Sequence, residues 1–378
     1  MSLKQIYRNY IRKTVEKKQK LRIRKQWIAE WLGILTTDAE AVRSVKLTKA
    51  EEKEIQDYWR SLYGKKIPLC WHKKYYAYSG KLDKEYFPEI FYTTRLDPLW
   101  NRDRITDVLG DKTLNELIFA KAIHESGQIT VPKTLGGCAN GYYFSEGRKS
   151  CTKQTLTKAL GNMQRNVIIK PSVGESSGNG VRLLQLRGGG IDNLTGDTIN
   201  DVMTLYGENF IIQEVVNENE ELKALHPESV NTVRIMTYRI NGEVHATPMT
   251  IRMGRGKDYR DNGHAGGIFV GMKDDGTLLA KAHMCGSMET FDRHPDTGIV
   301  FEGYCISYAE KIREAAFKLH ECLPSVGNVN WDLAVDETGN VVLIEANVSC
   351  GSMWLFEIPH GKGVFGSDTA DIIRMIAK

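Results

Sequence analysis

The chain has 378 residues, of which 41% are hydrophobic and 26% are charged, and this balance is typical of a soluble globular protein. The length suits two or three packed units rather than one core. No stretch approaches the roughly 20 apolar residues of a membrane span. The N-terminus is charged and lacks an apolar segment, so we expect no secretory signal.

The seven cysteines are widely spaced and include no C-x-x-C pair. That pattern favours reduced thiols in a cytoplasmic protein over a disulfide framework or a zinc site.

The net charge of +4 conceals a basic N-terminal arm, because residues 1–26 contain ten Lys or Arg and a single acid, Glu16. Such an arm is either a contact for anionic lipid or a partner at the inner face of the membrane, or an ordinary solvated helix. No aromatic-interleaved basic sheet and no recognised nucleic-acid-binding motif accompanies the arm, so we expect no nucleic-acid partner.

Helical patterns dominate the first third of the chain. Residues 1–62 are predicted to be helical, with Thr48 as an N-cap and Gly64 as a stop. Residues 65–135 mix aromatic-rich loop with helix, and a helix is predicted to start at Asp111 and to end at Gly127.

From residue 165 onward, short β-like segments alternate with turns. Strands are predicted at 166–170, 181–186, 210–216, 232–240, 244–253, 267–273, 328–336 and 340–346. Helices are predicted at 153–164, 196–207, 306–321 and 367–377. The turn 336–340 should join the last two strands as a hairpin. The pattern predicts an α+β fold rich in antiparallel strands.

A Gly/Ser-rich loop follows a strand that ends on Lys170, in NVIIKPSVGESSGNGV. Glycines let backbone N–H groups converge on an anion, while hydroxyls and a lysine add donors and charge. The candidate phosphate-binding residues of this loop are Gly174, Ser176, Ser177, Gly178 and Gly180. The loop is neither a Walker A motif nor G-x-G-x-x-G, and the alternative is an ordinary flexible hairpin.

A candidate metal site lies in NVNWDLAVDETGNVVLIEANV. Glu345 and Asn347 are two residues apart and so share one face of a strand, and pairing about the turn brings Asp332 onto that face. Three such oxygen ligands suit Mg²⁺. The alternative is that they are solvent-facing residues of a hairpin, but an unpaired carboxylate within VVLIEANV would be costly to bury.

A third segment, from Arg252 to Gly267, is polar and rich in glycine. It is either a β-bulge or turn or a part of the site in which Arg252 grips an acyl phosphate and His264 acts as a base. Ser349, Gly351 and Ser352 follow the candidate metal hairpin and are expected to line an acceptor pocket.

Lys112, the Lys170 loop and the Asp332/Glu345-x-Asn347 hairpin, in this order, resemble the ATP-grasp superfamily. SVNTVRIMTYR (229–239) and the 261–272 segment are similar to its sugar-transfer-associated group, which tends to be associated with polysaccharide biosynthesis. The resemblance covers roughly residues 105–378. One departure is Asn330, which stands where many ligases carry an Arg, so Arg234 or Arg252 is expected to compensate or the transferred group to be handled differently.

The resemblance implies an ATP-grasp fold with two α+β lobes gripping ATP, preceded by a helical region. The implied domains are a basic helical region (1–62), an N-terminal or linker domain (63–135), a lid subdomain (136–216) and a C-terminal subdomain with the metal site (217–378).

The resemblance also implies roles for individual residues. Lys112 and Lys170 would contact the ATP phosphates, and Arg234 would stabilise the transferring phosphate. Two Mg²⁺ ions, with Mn²⁺ as a substitute, would bind Asp332, Glu345 and Asn347. The implied adenine and ribose contacts are Ile168, Gln213, Glu214, Val215 and Val216, with either Glu220 or Glu221 on the ribose.

The implied activity is that of a carboxylate–amine ligase working through an acyl phosphate on a sugar acid or amino sugar. The alternatives are a kinase that phosphorylates a sugar hydroxyl and a non-catalytic nucleotide-binding subunit. The expected partners are a small or lipid-linked sugar substrate and a glycosyltransferase.

Overall fold

The computed structural model describes residues 3–101, 106, 108–174, 178–349 and 351–377. The α-helices are Leu3–Leu35, Ala39–Ser44, Lys49–Tyr63, Cys70–Ser79, Glu89–Phe91, Asp97–Trp100, Asn115–Ile118, Ala120–Ser126, Lys153–Gly161, Ile199–Tyr206, Glu220–Lys223, Ala309–Glu321, Trp354–His360 and Thr369–Ala377. A π turn spans Tyr92–Leu96, and 3-10 turns span Lys112–Leu114, Glu146–Arg148, Gly263–Ala265 and Gly366–Asp368.

The strands form two sheets. In chain order they are β1 Ile129–Thr130, β2 Thr134–Ala139, β3 Tyr142–Ser145, β4 Lys149–Ser150, β5 Gln164–Pro171, β6 Arg182–Arg187, β7 Phe210–Glu214, β8 Thr232–Ile240, β9 Glu243–Ala246, β10 Met249–Met253, β11 Ile268–Met272, β12 Leu278–Met284, β13 Ser287–Phe291, β14 Asn328–Val335 and β15 Val341–Asn347. The large sheet has the order β1-β15-β14-β8-β10-β11-β12-β13, with β9 beside β8, and the small sheet has the order β4-β3-β2-β7-β5-β6. Because β1 pairs with β15 in parallel and the other described pairs are antiparallel, the predicted α+β class is confirmed.

The predicted cap and stop of the helix Lys49–Tyr63 are confirmed. The Thr48 hydroxyl accepts the Glu51 N–H at 3.2 Å, and the Glu51 carboxylate accepts the Thr48 N–H at 2.7 Å. This reciprocal pair is a capping box, which satisfies donors that the first helical turn leaves open. Gly64 then ends the helix at φ 81°, a conformation that glycine adopts without a Cβ clash.

Two predicted elements are interrupted in the structure. The single helix expected from Asp111 to Gly127 is wrong, because the chain leaves helical geometry at Phe119, whose buried ring packs edge-on against Trp331 at 5.5 Å between centroids. The single strand expected over 244–253 is also wrong. It divides into β9 and β10 at Pro248, which has no N–H to donate to a sheet.

The two faces of the large sheet are covered by different parts of the chain. Val233 and Ile235 of β8 belong to a core that includes the helix Ala309–Glu321. Met236, Tyr238 and Ile240 belong to a second core, formed with the N-terminal helices and with the helices Trp354–His360 and Thr369–Ala377. Since Arg234 shares the strand face of these three residues, the N-terminal helices cover the face of the sheet that carries the candidate site.

Candidate functional site

A cavity of about 200 Å³ opens where the small sheet faces the β8–β14–β15 part of the large sheet; we name it the nucleotide cleft. Its described lining comprises Lys112, Pro132, Ile168, Lys170, Pro171, Gly178, Asn179, Val181, Gln213, Glu214, Val215, Val216, Val230, Thr232, Arg234, Arg252, Tyr259, Arg260, Asp261, Asn262, Asp332, Ile344, Glu345 and Asn347. Most of the residues that the sequence singles out are therefore brought to one cavity.

The register of the predicted hairpin places the three candidate metal ligands together. Asp332 on β14 lies opposite Glu345 on β15, and Asn330 lies opposite Asn347. The register then shifts to Leu333 opposite Leu343, which leaves Ile344 as the extra residue of a β-bulge. Asp332, Glu345 and Asn347 consequently share one face of the hairpin.

Two arginines neutralise the buried carboxylate of Asp332. The Arg234 Nε and Nη2 donate to its two oxygens at 2.5 and 2.9 Å, and Arg252 Nη2 lies 3.3 Å away. Asn347 Nδ2 donates to the same carboxylate at 3.2 Å. Burial alone would raise the pKa of Asp332, but the two guanidinium charges outweigh it and lower the pKa. Asp332 is therefore expected to be ionised at neutral pH.

The network continues from Arg252 to Asp261, a residue that the sequence analysis did not single out as a site residue. Arg252 Nη2 lies 3.0 Å from Asp261, whose carboxylate also accepts the Thr232 hydroxyl. Burial raises the pKa of Asp261 against the opposing effect of Arg252. Both arginines thus have carboxylate partners, which satisfies the requirement for burying charge.

Asn330, at the position of the departure from the ligase pattern, is buried and donates from Nδ2 to the Tyr92 hydroxyl at 3.1 Å. The guanidinium groups on this sheet face come from Arg234 and Arg252 on the neighbouring strands β8 and β10.

The two lysines approach the cleft from the other side. Lys112 Nζ lies 3.0 Å from Glu345, and its backbone N–H donates to the Ser172 carbonyl at 2.9 Å. Lys170, near the end of β5, is buried, which lowers its pKa to about 8 against the charge of Glu345. Two cations facing two carboxylates across a cleft are a charge pattern that suits an anionic ligand together with a divalent metal.

The glycine loop reaches the cleft through Gly178, Asn179 and Val181, whereas Gly180 is not part of the lining. The Tyr259 hydroxyl donates to the Val181 carbonyl at 2.9 Å and so connects the loop to the segment beside β10. Gly180 has φ +70°, and a Cβ there would lie 2.8 Å from Pro171. Gly174 does not line the cleft. Ser176, Ser177 and the His264 side chain lie outside the described residues.

The predicted adenine contacts also line the cleft. Ile168 and the segment from Gln213 to Val216 form one wall, and Gln213 Nε2 donates to the Pro132 carbonyl at 3.1 Å. The apolar residues Val230 and Ile344, which sequence reasoning missed, also line the cleft. The position of Ile344 directly before Glu345 is the signal that could have pointed to it.

The two glutamates expected at the ribose are not brought to the cleft. Glu220 is exposed, and neither residue is part of the cleft lining. Glu221 instead accepts the Ser307 N–H at 2.8 Å and the Ser307 hydroxyl at 2.7 Å. Both side chains are displaced because they lie on the short helix Glu220–Lys223, beyond the end of β7.

A second cavity, of about 600 Å³, adjoins the first; we name it the acceptor cavity. Arg234, Arg252, Asn262 and Asn347 line both cavities. Ser349, Gly351 and Ser352 line the acceptor cavity as expected. Its far wall comes from the N-terminal helices through Gln26, Glu30, Asp38, Trp71 and Lys74, which no motif in the sequence pointed to.

The donor set fits a magnesium-bound nucleotide. Asp332, Glu345 and Asn347 offer oxygen ligands on one face, but within the described residues no group of three His, Cys, Asp or Glu is suited to hold a metal unaided. Mg²⁺ is commonly held by one or two carboxylates together with substrate phosphates. Lys112 and Lys170 add positive charge to the lining of the same cleft.

A nine-stranded sheet with a carboxylate-bearing hairpin, facing a smaller sheet with a buried lysine, is the ATP-grasp fold that the sequence predicts. The chain belongs to the sugar-transfer associated ATP-grasp family, whose model matches residues 92–371. ATP-grasp enzymes generally use ATP and Mg²⁺. The comparison with curated proteins gives no significant match.

Solved structures with a similar arrangement include three distant proteins. The VanG D-Ala:D-Ser ligase from Enterococcus faecalis is 15% identical, with 72% of this chain and 62% of that chain covered and a TM-score of 0.43. The N5-carboxyaminoimidazole synthetase from Staphylococcus aureus is 12% identical, with 65% and 46% covered and a TM-score of 0.37. The L-amino acid ligase from Bacillus licheniformis is 11% identical, with 67% and 43% covered and a TM-score of 0.35. This chain thus spans only between 43% and 62% of the length of these three proteins.

Within the described part of the chain, none of the helices combines the length and apolar character that crossing a membrane requires.

Proposed function

We propose that this chain is an ATP- and Mg²⁺-dependent carboxylate–amine ligase that modifies a sugar acid or an amino sugar in surface polysaccharide assembly. The observation that carries the proposal is the position of Arg234 and Arg252, which line both the nucleotide cleft and the acceptor cavity. Planar guanidinium groups at such a boundary suit an oxyanion on each side, a phosphate on one and a carboxylate on the other.

Each part of the cleft has a task in this proposal. Lys112 and Lys170 bind the nucleotide phosphates, and the segment from Gln213 to Val216 borders the adenine. Asp332, Glu345 and Asn347 would hold Mg²⁺. When bound, the metal neutralises phosphate charge and orients the reacting group. Arg234 and Arg252 orient the substrate carboxylate against the γ-phosphate, so that catalysis comes mainly from positioning and charge stabilisation.

The reaction balances in two steps. A carboxylate oxygen bonds to the γ-phosphorus while the bond from that phosphorus to the β–γ bridging oxygen breaks, and ADP leaves. The amine nitrogen then bonds to the acyl carbon, phosphate leaves with one original carboxylate oxygen, and the amine loses a proton. The products are an amide, ADP and free phosphate.

The test is an ADP-release screen over uronic acids, amino acids and amino sugars, with mass spectrometry of the products. We expect a carboxylate and an amine to be required together, and ¹⁸O in the carboxylate to appear in phosphate. ADP release with a phosphorylated sugar and no free phosphate would contradict the ligase and identify a kinase. ATP binding without turnover for any pair would identify an accessory subunit.

We further propose that the basic N-terminal arm places the enzyme at an anionic membrane surface, beside a lipid-linked sugar or a glycosyltransferase. Lys13, Lys17, Lys18 and Lys20 are exposed on the first helix, together with exposed Trp27. Each such charge contributes about 1 kcal/mol near an anionic surface. Sedimentation with phosphatidylglycerol vesicles at low salt, lost at high salt, is expected, and equal binding to neutral phosphatidylcholine vesicles would contradict it.

A further inference from the structure

The acceptor cavity is lined in part by residues that lie outside the segment matched by the family model. One end is formed by Arg234, Arg252 and Asn347 of the nucleotide side. The other end is formed by Glu30 and Lys74, which precede the matched residues 92–371. Its size of about 600 Å³ lies in the range of small-molecule sites.

Charge is unequal between the two ends. Three carboxyl groups, those of Glu30, Asp38 and Glu89, line the N-terminal end together with one ammonium, that of Lys74. The carboxylate of Asp38 already has partners within the protein, since Lys74 Nζ lies 2.9 Å from it and the Tyr78 hydroxyl donates to it at 2.9 Å. The surplus of acid therefore belongs to Glu30 and Glu89.

Of the two remaining carboxyl groups, that of Glu89 is buried and that of Glu30 is half-buried. Glu89 accepts the Trp354 N–H at 3.2 Å, and the Tyr75 hydroxyl lies at 3.5 Å. Burial raises the pKa of Glu30 to about 7 and the pKa of Glu89 well above its usual value, and Lys74 opposes both shifts. Buried carboxyl groups of this kind favour a cationic partner, because it offsets the cost of removing their charge from water.

The side walls mix apolar rings with hydroxyl groups. Trp71, Phe269 and Trp354 line the cavity together with Thr37 and Ser352. Rings and hydroxyls around a cavity suit a compact ligand that presents both C–H surface and hydroxyl groups.

We propose that the acceptor cavity binds a sugar with a free primary amine, whose nitrogen is attracted as an ammonium by Glu30 and Glu89 and, once deprotonated, attacks the acyl phosphate beside Arg234 and Arg252. This deepens the proposed ligase function and rests on it, because the amine is the acceptor of that reaction. It also assigns a substrate-binding role to the N-terminal helices. The amine gives up a proton before it attacks, and the neighbouring carboxylates are the groups that accept it.

The test uses Cys285, a free cysteine that lines the acceptor cavity, as a reporter of occupancy. The full chain is treated with N-ethylmaleimide, and the labelling of Cys285 is measured by peptide mass spectrometry with and without glucosamine, galactosamine or mannosamine. The N-acetyl forms of the same sugars are the matched neutral controls. At ten times its dissociation constant, a bound hexosamine slows labelling about tenfold.

Two variants locate the effect. Glu30→Gln removes one carboxylate and should weaken hexosamine binding about tenfold, as expected for a charge-assisted hydrogen bond. Glu40→Gln, exposed and outside the cavity lining, is its matched control. Gly33→Leu fills the cavity from the first helix, where a Cβ meets nothing within 4 Å and leucine has the higher helix propensity. It should abolish protection, and thermal melting reports whether each variant is folded.

Binding of Mg²⁺ and a non-hydrolysable ATP analogue is measured in parallel, so that a failure of the ligase proposal can be distinguished from a failure of the amine-site proposal. Protection by hexosamines alone, lost in Glu30→Gln and Gly33→Leu and kept in Glu40→Gln, supports the inference. Nucleotide binding with no protection by any hexosamine, or with equal protection by the N-acetyl forms, overturns it. Protection without nucleotide binding overturns the ligase proposal and leaves the amine site standing.

Discussion

Arg234 and Asp332 face each other across the neighbouring strands β8 and β14, and two guanidinium nitrogens reach the two carboxylate oxygens at 2.5 and 2.9 Å. The pair is nearly completely buried. A carboxylate that is expected to hold a metal is thus already engaged by an arginine.

The Arg234–Asp332 pair predicts that Mg²⁺ binds weakly without nucleotide. Asp332 offers a metal only the lone pairs that Arg234, Arg252 and Asn347 leave open. Phosphate oxygens are therefore needed to complete the coordination. Titration with Mn²⁺, followed by electron paramagnetic resonance, should detect tight binding only after a non-hydrolysable ATP analogue is added. Tight binding to the chain alone would contradict this prediction.

Lys170→Met is expected to weaken ATP binding without unfolding the chain. Loss of a charge-assisted contact to phosphate should lower the affinity about 10- to 100-fold. Since Lys170 is buried and burial lowers its pKa, an apolar side chain of similar length should leave thermal stability equal or higher. Lys273→Met, at an exposed position on the same protein, is the control. Fluorescent nucleotide titration and melting curves measure the two effects, and unchanged affinity in Lys170→Met would count against the phosphate role.

Arg252→Ala is expected to destabilise the fold, because it removes a positive charge that lies beside the carboxylates of both Asp261 and Asp332. Removing one partner from a buried ion pair costs about 3–5 kcal/mol. Urea unfolding should register that loss, and the double variant Arg252→Met with Asp261→Asn should recover part of it. The exposed Arg293→Ala is the control. Equal stability of Arg252→Ala and the wild type would show that the network is not needed for the fold.

Glu30 should make stability depend on pH. Burial raises its pKa from the usual 4.5 to about 7. The charge of Asp38 adds to this shift, Lys74 and the hydrogen bond with Thr93 oppose it, and Glu89 lines the same cavity. A carboxyl group whose pKa is raised in the folded protein stabilises the fold in its protonated form. This contribution is complete below about pH 4.5 and is lost as the pH rises through about 7.

Glu30→Gln should therefore match the wild type near pH 4.5 and exceed its free energy of unfolding by about 3 kcal/mol at pH 8. Urea titrations at several pH values measure the difference, with Glu40→Gln as the matched control. A difference that is constant with pH would show that Glu30 titrates as an exposed residue.

The sequence was sufficient to predict the hairpin that holds Asp332, Glu345 and Asn347. Strand periodicity and a turn of known chemistry are local signals, and pairing follows from them. The bulge at Ile344 was not predicted, because the residues 341–344 are all apolar and so do not show which of them is the extra residue.

Other features of the fold and site depend on packing between distant segments. β12 and β13 were missed because LLAKAHM and SMETF mix polar and apolar residues without regular alternation. Glu30, Lys74 and Glu89 meet Arg234 in the acceptor cavity from positions far away in the chain. No sequence motif connects these residues. They lie close together because the N-terminal and C-terminal helices share one hydrophobic core.

The central claim, that the cleft binds Mg–ATP through the β14–β15 hairpin, is tested most directly by equilibrium binding of ATP with and without Mg²⁺. The comparison uses the wild type, Glu345→Gln and the matched control Glu337→Gln, whose side chain is exposed in the turn of the same hairpin. We predict Mg²⁺-dependent binding in the wild type and in Glu337→Gln, and a loss of about tenfold or more in Glu345→Gln. Failure of the wild type to bind ATP in the presence of Mg²⁺, or equal Mg²⁺-dependent binding by all three proteins, would contradict the account.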